Sequence, residues 1–183
     1  MDIKTYKLTV DPRILELLGP NLYTNIYYVL AELIANAYDA DASNVYIIAN
    51  DDNITVEDDG NGMSYENGDI AKFLNVAGIS RTNDEDAVSK TLKRHKMGRK
   101  GVGKLAALSV SEEVEVLTIN NGEKSGFVMS RHPKGEMLDA IPEDKIQLSM
   151  VEGNGTAIVM KRPQYRLHKT LSVVKKNLIK IFP

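Results

Sequence analysis

The stretch Ala31–Ala40, with the sequence AELIANAYDA, decides the fold. It is predicted to form the second half of a helix, because apolar residues recur at helical spacing through it and through the residues before it. Glu32, Asn36 and Asp39 stand at positions i, i+4 and i+7, so they form one polar stripe along that helix. A carboxylate or an amide in a mostly apolar setting needs a metal ion, a water or a ligand as its partner. The alternative is that the stripe is a solvated helix face.

The composition is that of an ordinary globular domain. The chain has 183 residues, of which 43% are hydrophobic and 26% are charged, so it can bury one substantial core. Its formal net charge of −2 gives the whole chain no nucleic-acid footprint. No apolar run is long enough to cross a bilayer, and the N-terminus is no signal peptide. We therefore expect a cytoplasmic protein without a membrane partner.

Several kinds of chemistry have no support in the sequence. The absence of cysteine excludes disulfides and thiolate metal sites and is compatible with a reducing compartment. The three histidines show no spacing typical of zinc ligands. There is also no Gly-x-Ser-x-Gly motif for acyl-enzyme chemistry.

Apolar periodicity and turn residues predict an α+β fold with one mixed sheet and helices on one face. The main helix is expected to begin near Leu22 and to include Asn25 in its polar stripe. The other predicted helices are a short one from Asp11 through Leu18, then Ile70–Ala77, Lys104–Val110 and a terminal amphipathic helix after Arg166. The predicted strands are an edge strand within Met1–Val10, and then Val45–Asn50, Ile54–Asp58, Val114–Ile119, Ser125–Arg131, Ile146–Val151 and Thr156–Arg162.

The segment Ile79–Met97 differs from its surroundings. It is polar, it carries charges of both signs, and only Val88 and Leu92 are expected to pack. Because such a segment has few apolar contacts to fix it, the sequence predicts a mobile loop or a lid.

A second group of candidate residues follows the strand that ends at Asp58. Gly60 and Gly62 come directly after it, and glycines allow a ligand ring to approach the backbone closely. The Asp58 carboxylate is suited to accept a hydrogen bond from an exocyclic amine. The alternative is a plain turn, since Asp, Asn and Gly are common turn residues.

The glycine-rich stretch Gly98–Lys104, GRKGVGK, leads directly into a predicted helix. Free backbone N–H groups and the helix dipole at such a position attract phosphate. The stretch nearly matches a P-loop, but Leu105 replaces the hydroxyl residue that holds magnesium, and no apolar strand precedes it. We therefore expect a phosphate cradle of another kind, and the alternative is a flexible basic linker.

Four motifs in this order resemble the GHKL ATPases, the family of gyrase B, histidine kinases, MutL and a large heat-shock chaperone. The resemblance covers roughly Tyr23–Lys161. The matched positions are Glu32, Asn36, Ala37, Asp39 and Ala40 of E-x-x-x-N-A-x-D-A; Asp58, Gly60 and Gly62 of D-x-G-x-G, followed by Met63 as in the chaperones; Gly98, Gly101 and Gly103 of G-x-x-G-x-G; and Gly155 and Thr156 of a late Gly-Thr. Each motif alone is weak or moderate, whereas four in the same order are specific.

The resemblance implies a Bergerat fold, a two-layer α/β sandwich that holds ATP between helices and sheet under a lid. It makes Glu32 the general base that activates the attacking water, and Asn36 the ligand of a magnesium ion that bridges the phosphates. Asp58 would recognise the adenine amine, with support from Thr156 through a shared water. For Asp39 a structural salt bridge is as much expected as a ligand contact. The other implied nucleotide contacts are Gly60, Gly62, Met63, Gly98, Gly101, Val102, Gly103 and Lys104.

Two departures from the family pattern bear on the activity. Histidine kinases usually carry Asn at the position of Glu32, and the chain has no region for a phosphoacceptor helix, which favours hydrolysis over phosphoryl transfer. Hydrolysing members also use a lysine from a following transducer domain, and the chain ends at Pro183. Residues 1–183 are therefore expected to be one nucleotide-binding domain, with its lid at about residues 79–103, from the N-terminal part of a longer protein.

The leading prediction is an ATP-binding and ATP-hydrolysing module whose nucleotide state drives conformational change or dimerisation of a larger protein. Its cofactors are ATP and Mg²⁺. The isolated domain is expected to hydrolyse ATP very slowly, with a lid that is mobile without nucleotide. Two alternatives stay open: a histidine-kinase-type phosphotransfer domain, and a nucleotide-gated interaction module with little turnover. The sequence does not name the client, whether protein or nucleic acid.

Overall fold

The computed structural model of the chain describes residues 4–10, 25–76, 87–97, 105–132 and 137–182. Within these ranges the helices are α1 (Ile26–Asp39), α2 (Asp69–Leu74), α3 (Ala106–Val110) and α4 (Leu171–Ile179), with a 3₁₀ turn at Glu143–Lys145. The strands are β1 (Tyr6–Lys7), β2 (Thr9–Val10), β3 (Val45–Ala49), β4 (Asn53–Asp58), β5 (Asn75–Val76), β6 (Glu113–Asn120), β7 (Glu123–Ser130), β8 (Met137–Ala140) and β9 (Gly155–Lys161).

Seven strands form one antiparallel sheet in the order β1-β8-β7-β6-β9-β4-β3. The last strand in the chain, β9, lies inside this sheet between β6 and β4. Helix α1 contacts β4, and α3 contacts both β9 and α1. The predicted α+β class is therefore confirmed. Among the described residues, parallel pairing is limited to β2 and β5, which lie outside the main sheet.

One face of the sheet carries the core in apolar rows that cross neighbouring strands. Directly opposed residues of antiparallel strands point to the same face, so the pairing register defines these rows. One row contains Ile54, Met160, Val114 and Met129, and the next contains Val56, Ile158, Val116 and Phe127. All eight side chains belong to one buried cluster with residues of α1 and α3. This alternation also explains why strand patterns in the sequence predicted β4, β6, β7 and β9 closely.

Helix α1 begins later than the sequence predicts. Asn25 has extended backbone angles, φ −147° and ψ 130°, and its side chain accepts a hydrogen bond from the Tyr27 N–H at 3.0 Å. Asn25 is therefore the N-cap of α1 and not a member of its polar stripe. The prediction that Asn25 lies inside a helix that begins near Leu22 is therefore wrong. The Asn25 side chain satisfies a free N–H group of the first turn, so α1 begins directly after this residue.

The predicted strand Ile146–Val151 is also wrong, and β8 was not predicted. Ile146 and Leu148 are buried, which produced the alternating pattern. However, the N–H groups from Ser149 to Val151 donate to the Glu57 side chain and not to a neighbouring strand. The segment is therefore a loop held by a carboxylate, whereas β8 pairs with β7 through residues that are mostly exposed.

The predicted helix Ile70–Ala77 is shorter in the structure. Helix α2 ends at Leu74, and Asn75–Val76 forms β5, which pairs in parallel with β2. The predicted helix at residues 11–18 and Lys104 of the predicted helix Lys104–Val110 lie outside the described residues. The terminal helix is confirmed as α4, although it starts only at Leu171. In the described ranges, none of the helices combines the length and apolarity needed to span a membrane.

Candidate functional site

A polar row ends the apolar face of the sheet. Asp58 lies opposite Thr156, Thr156 lies opposite Thr118, and Thr118 lies opposite Ser125. These four residues, named here the polar row, continue the two apolar rows by one step and point to the same face. The core side of the sheet therefore changes from apolar to polar along one edge, and three of the four side chains are still buried: Asp58, Thr118 and Ser125.

Asp58 ends β4, and only 8% of it is exposed. Its Oδ1 accepts a hydrogen bond from the Gly60 N–H at 2.9 Å, and the Thr156 N–H is a second backbone donor. No lysine or arginine pairs with it in the part of the chain that the structure describes. Burial, together with the negative charges of Asp59 and Glu57, raises the pKa of Asp58 to about 6. A buried carboxylate with a raised pKa and no cation beside it is typical of functional sites.

The glycines around Asp58 lie against the protein's own backbone. A Cβ at Gly60 would lie 2.7 Å from the Ala40 carbonyl oxygen and 2.8 Å from Asp58 Oδ1. At Gly62, where φ is +67°, it would overlap the Ile119 carbonyl, and at Gly155 it would overlap the Asp58 carbonyl. All three positions therefore require glycine for close packing alone.

Thr118 is a member of the polar row that sequence reasoning missed. Its Oγ1 accepts a hydrogen bond from the Met63 N–H at 2.8 Å and lies 3.1 Å from the Gly155 carbonyl oxygen and 3.2 Å from Thr156 Oγ1. Because a threonine has one hydroxyl proton, and Thr118 directs it to the Gly155 carbonyl, Thr156 is the donor between the two hydroxyls. Thr156 Oγ1 thus keeps acceptor capacity. The sequence contained one indication of this role: Thr118 is a polar residue at an inward-facing position of the alternating strand β6.

The end of α1 packs directly on the loop that follows Asp58. The Asn61 N–H donates to the Ala40 carbonyl at 2.8 Å, so the turn of α1 that carries Asn36 is next to this loop. Glu32 and Asn36 are both half-buried. Neither side chain has a hydrogen-bond partner within the described ranges, which leaves both available to a ligand.

Asp39 contacts the lid. Its Oδ1 accepts a hydrogen bond from the Met97 N–H at 2.7 Å. Two neighbouring contacts join the same parts of the chain: Arg94 donates to the Ala42 carbonyl at 2.7 Å, and its guanidinium lies 4.8 Å from the centre of the Tyr38 ring. Met97 directly precedes the glycine-rich stretch. It is therefore held by a residue that lies about one helical turn after Asn36 on α1.

Asp41, which sequence reasoning also missed, holds residues 87–97 to the end of α1. It has a positive φ of 67°, and its carboxylate accepts hydrogen bonds from the Thr91 N–H at 2.7 Å, the Leu92 N–H at 3.1 Å and Asn61 Nδ2 at 3.0 Å. Leu92 is 50% exposed, so the expectation that it packs is wrong. The segment is anchored here through backbone N–H groups and not through that side chain.

The same contacts determine the charge of Asp41. Burial alone raises its pKa, but hydrogen bonds from Ser89, Thr91, Leu92 and Asn61 outweigh burial and lower the pKa to about 2. Asp41 is therefore ionised at neutral pH. The remaining predicted residues of the lid and cradle, Gly98, Gly101, Val102, Gly103 and Lys104, lie outside the described residues.

Comparisons with known proteins decide the family. The family model described as "Histidine kinase-, DNA gyrase B-, and HSP90-like ATPase" matches residues 23–156, a range that includes α1 and the whole polar row. The chain belongs to this ATPase family. The match confirms the resemblance to the GHKL ATPases, and the antiparallel sheet with its layer of helices is consistent with the fold of that family.

Three curated proteins that are similar to the chain are much longer than it. A Herpetosiphon aurantiacus protein that carries the name of a type II restriction enzyme, HgiDII, is 37% identical over 139 residues, which cover 76% of the chain and 22% of that protein. The chaperone protein HtpG of Wolinella succinogenes is 30% identical over 157 residues, covering 72% and 25%. HtpG of Sulfurimonas denitrificans is 27% identical over 173 residues, covering 81% and 26%. The chain spans about a quarter of the length of these relatives.

The donor set fits the ligands that membership of this ATPase family implies. Magnesium prefers oxygen ligands, keeps several waters and is commonly held by one or two protein groups together with phosphate oxygens. The amide of Asn36 matches that requirement. Among the described residues, no cluster of three or more His, Cys, Asp or Glu side chains could hold a metal by itself. Asp58 in turn offers a buried acceptor to an amine.

Proposed function

We propose that the chain binds ATP with Mg²⁺ and hydrolyses it, and that the bound nucleotide drives conformational change or dimerisation of a larger protein. One observation carries the proposal: the buried Asp58 carboxylate has no described cation beside it and a pKa raised to about 6. Asp58 lies at the polar end of the sheet, and the loop that follows it contacts the end of α1. The same helix carries Glu32 and Asn36, whose side chains have no hydrogen-bond partner within the described ranges.

Each side chain has a distinct role in this proposal. Asp58 accepts the hydrogen bond of the adenine amine, and Thr156 supports it through a shared water because its oxygen keeps acceptor capacity. Asn36 holds Mg²⁺, and Glu32, one turn earlier on α1, orients and activates the attacking water. When bound, Mg²⁺ neutralises phosphate charge during cleavage of the terminal phosphoanhydride.

The lid completes the proposed site. Residues 98–104 supply backbone N–H groups and Lys104 to the phosphates, and Asp39 fixes the start of that stretch through the Met97 N–H. Residues 1–183 act as one nucleotide-binding domain of a longer protein, whose other domains supply the client contacts. The names of the relatives point to two kinds of client, a protein for HtpG and DNA for the restriction enzyme.

A pair of variants tests the proposed chemistry. Glu32→Ala removes the base, so we expect nucleotide affinity within about twofold of wild type and a loss of about 10²–10⁴-fold in phosphate release. Asn36→Ala removes the magnesium ligand, so magnesium-dependent ATP affinity should fall as well. Calorimetric titration with and without Mg²⁺ measures binding, and single-turnover phosphate release from the full-length protein measures hydrolysis.

The same measurements distinguish the alternatives. Normal hydrolysis by Glu32→Ala would show that the general-base assignment is wrong. Tight ATP binding with no measurable single turnover in the full-length wild type would favour the nucleotide-gated interaction module. Transfer of labelled phosphate to a histidine-bearing partner would favour the phosphotransfer domain.

A further inference from the structure

Charge is strongly segregated along this chain. Before Gly153 there are 16 Lys and Arg against 25 Asp and Glu, whereas from Gly153 to Pro183 there are seven Lys and Arg and no acidic residue. The first part therefore carries a formal charge of −9 and the last 31 residues carry +7. The net charge of −2 conceals this difference, so it does not exclude a polyanion-binding surface on the last segment.

Most positive charges of this segment have no acidic partner among the residues that the structure describes. Lys161 pairs with Glu115 at 2.9 Å. The other six side chains are all exposed, and no carboxylate in the described ranges lies within ion-pair distance of them. They are Arg162, Arg166, Lys169, Lys175, Lys176 and Lys180, named here the basic surface. A surface with this excess of positive charge attracts polyanions.

The basic surface surrounds a groove of about 870 Å³ between β3 and α4. Its floor includes Val45 and Ile47, which also pack against the core. Four members of the basic surface line the groove together with His168, and the acidic residue among its lining residues is Asp51. The groove lies at the outer strand of the sheet and shares no lining residue with the polar row, so it is separate from the candidate nucleotide site.

We propose that the basic surface binds the phosphate backbone of duplex DNA. Duplex DNA presents about one negative charge per 1.7 Å of its axis. Lys175 and Lys176 on α4 and Lys180, which caps the helix, span about 7.5 Å at 1.5 Å per residue. The six side chains are long and exposed, and within the described ranges no hydrogen bond or ion pair fixes them in one geometry. A row of separate exposed cations matches the regularly repeating phosphates of a duplex better than the irregularly spaced carboxylates of an acidic protein.

The orientation of α4 argues against a membrane as the partner. Membrane-surface helices expose an apolar face that is rich in Trp, Phe and Leu. In α4, Leu178 packs against the core cluster and Val174 lines the groove. The chain contains no Trp. Leu171 and Ile179 are exposed, but two aliphatic side chains without an aromatic residue in α4 form a smaller apolar face than membrane-surface helices present.

The test is fluorescence anisotropy with a labelled 20-base-pair duplex of arbitrary sequence, across a salt series. We expect measurable binding at low salt, with a slope of log affinity against log salt of about −4 to −5, since each phosphate contact contributes about −0.9. The variant Lys175→Gln, Lys176→Gln, Lys180→Gln should bind at least tenfold more weakly and lose about half of that slope. Its ADP affinity and melting temperature should match the wild type, because these lysines lie outside the nucleotide site.

A matched control removes the same charge elsewhere. Lys93→Gln, Lys96→Gln, Lys145→Gln changes three lysines that lie outside the basic surface, and it should bind the duplex as the wild type does. An equal loss of affinity in both variants, or no binding to the duplex at 50 mM salt, would overturn the proposal. Stronger competition by polyglutamate, or preferential binding to phosphatidylserine vesicles, would assign the surface to an acidic protein or a membrane instead.

Discussion

Two consecutive carboxylates of β4 serve different purposes on opposite faces of the sheet. Glu57 faces the side covered by the loop at residues 146–151 and accepts four hydrogen bonds, from the Ser149 N–H at 3.0 Å, the Ser149 hydroxyl at 2.9 Å, the Met150 N–H at 2.6 Å and the Val151 N–H at 2.9 Å. Asp58 faces the helices and accepts from two backbone N–H groups. Burial alone does not distinguish them, since both are buried.

The number of donors separates the two carboxylates. An ionised carboxylate has about four lone-pair positions, so the protein itself saturates Glu57 and uses it to hold a loop. Asp58 keeps free acceptor positions in a site that disfavours its charge, which is why its pKa is raised to about 6. A buried acid that the protein leaves partly unsatisfied is the better candidate for ligand binding, and the following predictions test that distinction.

The largest expected effect is on the stability of Glu57→Ala. Removing the acceptor leaves three backbone N–H groups and one hydroxyl without their common partner, so the free energy of unfolding should fall by about 3 kcal/mol. Urea unfolding measures this change. Glu57→Gln is the control, because it keeps one acceptor oxygen and should lose less. ADP affinity of the folded protein should stay unchanged in both variants, and a specific loss of affinity would mean that Glu57 also serves the nucleotide site.

The next effect concerns Asp58→Asn, which should act in the opposite direction on stability. A folded-state pKa raised from 3.8 to about 6 means that ionisation costs stability as pH rises from about 4 to 6, and that this cost persists above pH 6. The variant should therefore be about 2–3 kcal/mol more stable than wild type at pH 8, where the full cost of the raised pKa applies, and nearly equal to it at pH 4. ATP and ADP should both bind about 2 kcal/mol more weakly, because a charge-assisted hydrogen bond to the adenine is lost.

Paired unfolding curves and calorimetric titrations at both pH values check this prediction. Unchanged ADP affinity in Asp58→Asn would remove Asp58 from the site. A loss of stability at pH 8 would mean that its carboxylate is a structural acceptor like that of Glu57.

A smaller effect is expected from pH on the unmodified protein. The ionised form of Asp58 is the stronger acceptor, so ADP affinity should fall about tenfold between pH 7.5 and pH 5, with a midpoint near 6. The same titration on Asp58→Asn should be nearly flat. Asp41, whose pKa is lowered to about 2, stays ionised over this range, so its contacts with the lid do not contribute. An equal pH dependence in both proteins would assign the effect to another group.

The smallest effect is expected for Thr156→Val. The substitution removes a hydroxyl that contacts Thr118 Oγ1 at 3.2 Å, and it should weaken ADP binding by about 0.5–1 kcal/mol if that hydroxyl supports Asp58 through a water. Ser125→Ala is the matched control, since Ser125 belongs to the polar row but lies two strands further from Asp58. A larger effect of the control would contradict the proposed position of the adenine.

The sequence predicted best what periodicity and local motifs encode. Alternation located β4, β6, β7 and β9, and helical spacing located α1 with Glu32 and Asn36 on it. Contacts between distant segments were not predictable in this way. Ile146 and Leu148 alternate like a strand, yet a single carboxylate on the far face of β4 takes up the hydrogen bonds that would have formed one. Likewise, nothing local indicates that Asp41 binds residues 50 positions further along.

The central place of β9 has a consequence for biosynthesis. The hairpin β3–β4 and the meander β6–β7–β8 each pair with their own neighbours, but β4 and β6 join only through β9, the last of these strands to leave the ribosome. Until Gly155–Lys161 is inserted, Asp58 and Thr118 belong to two separate halves. The polar row is therefore assembled in a late, long-range step of folding. Before that step, nucleotide binding to the complete polar row cannot stabilise the nascent chain.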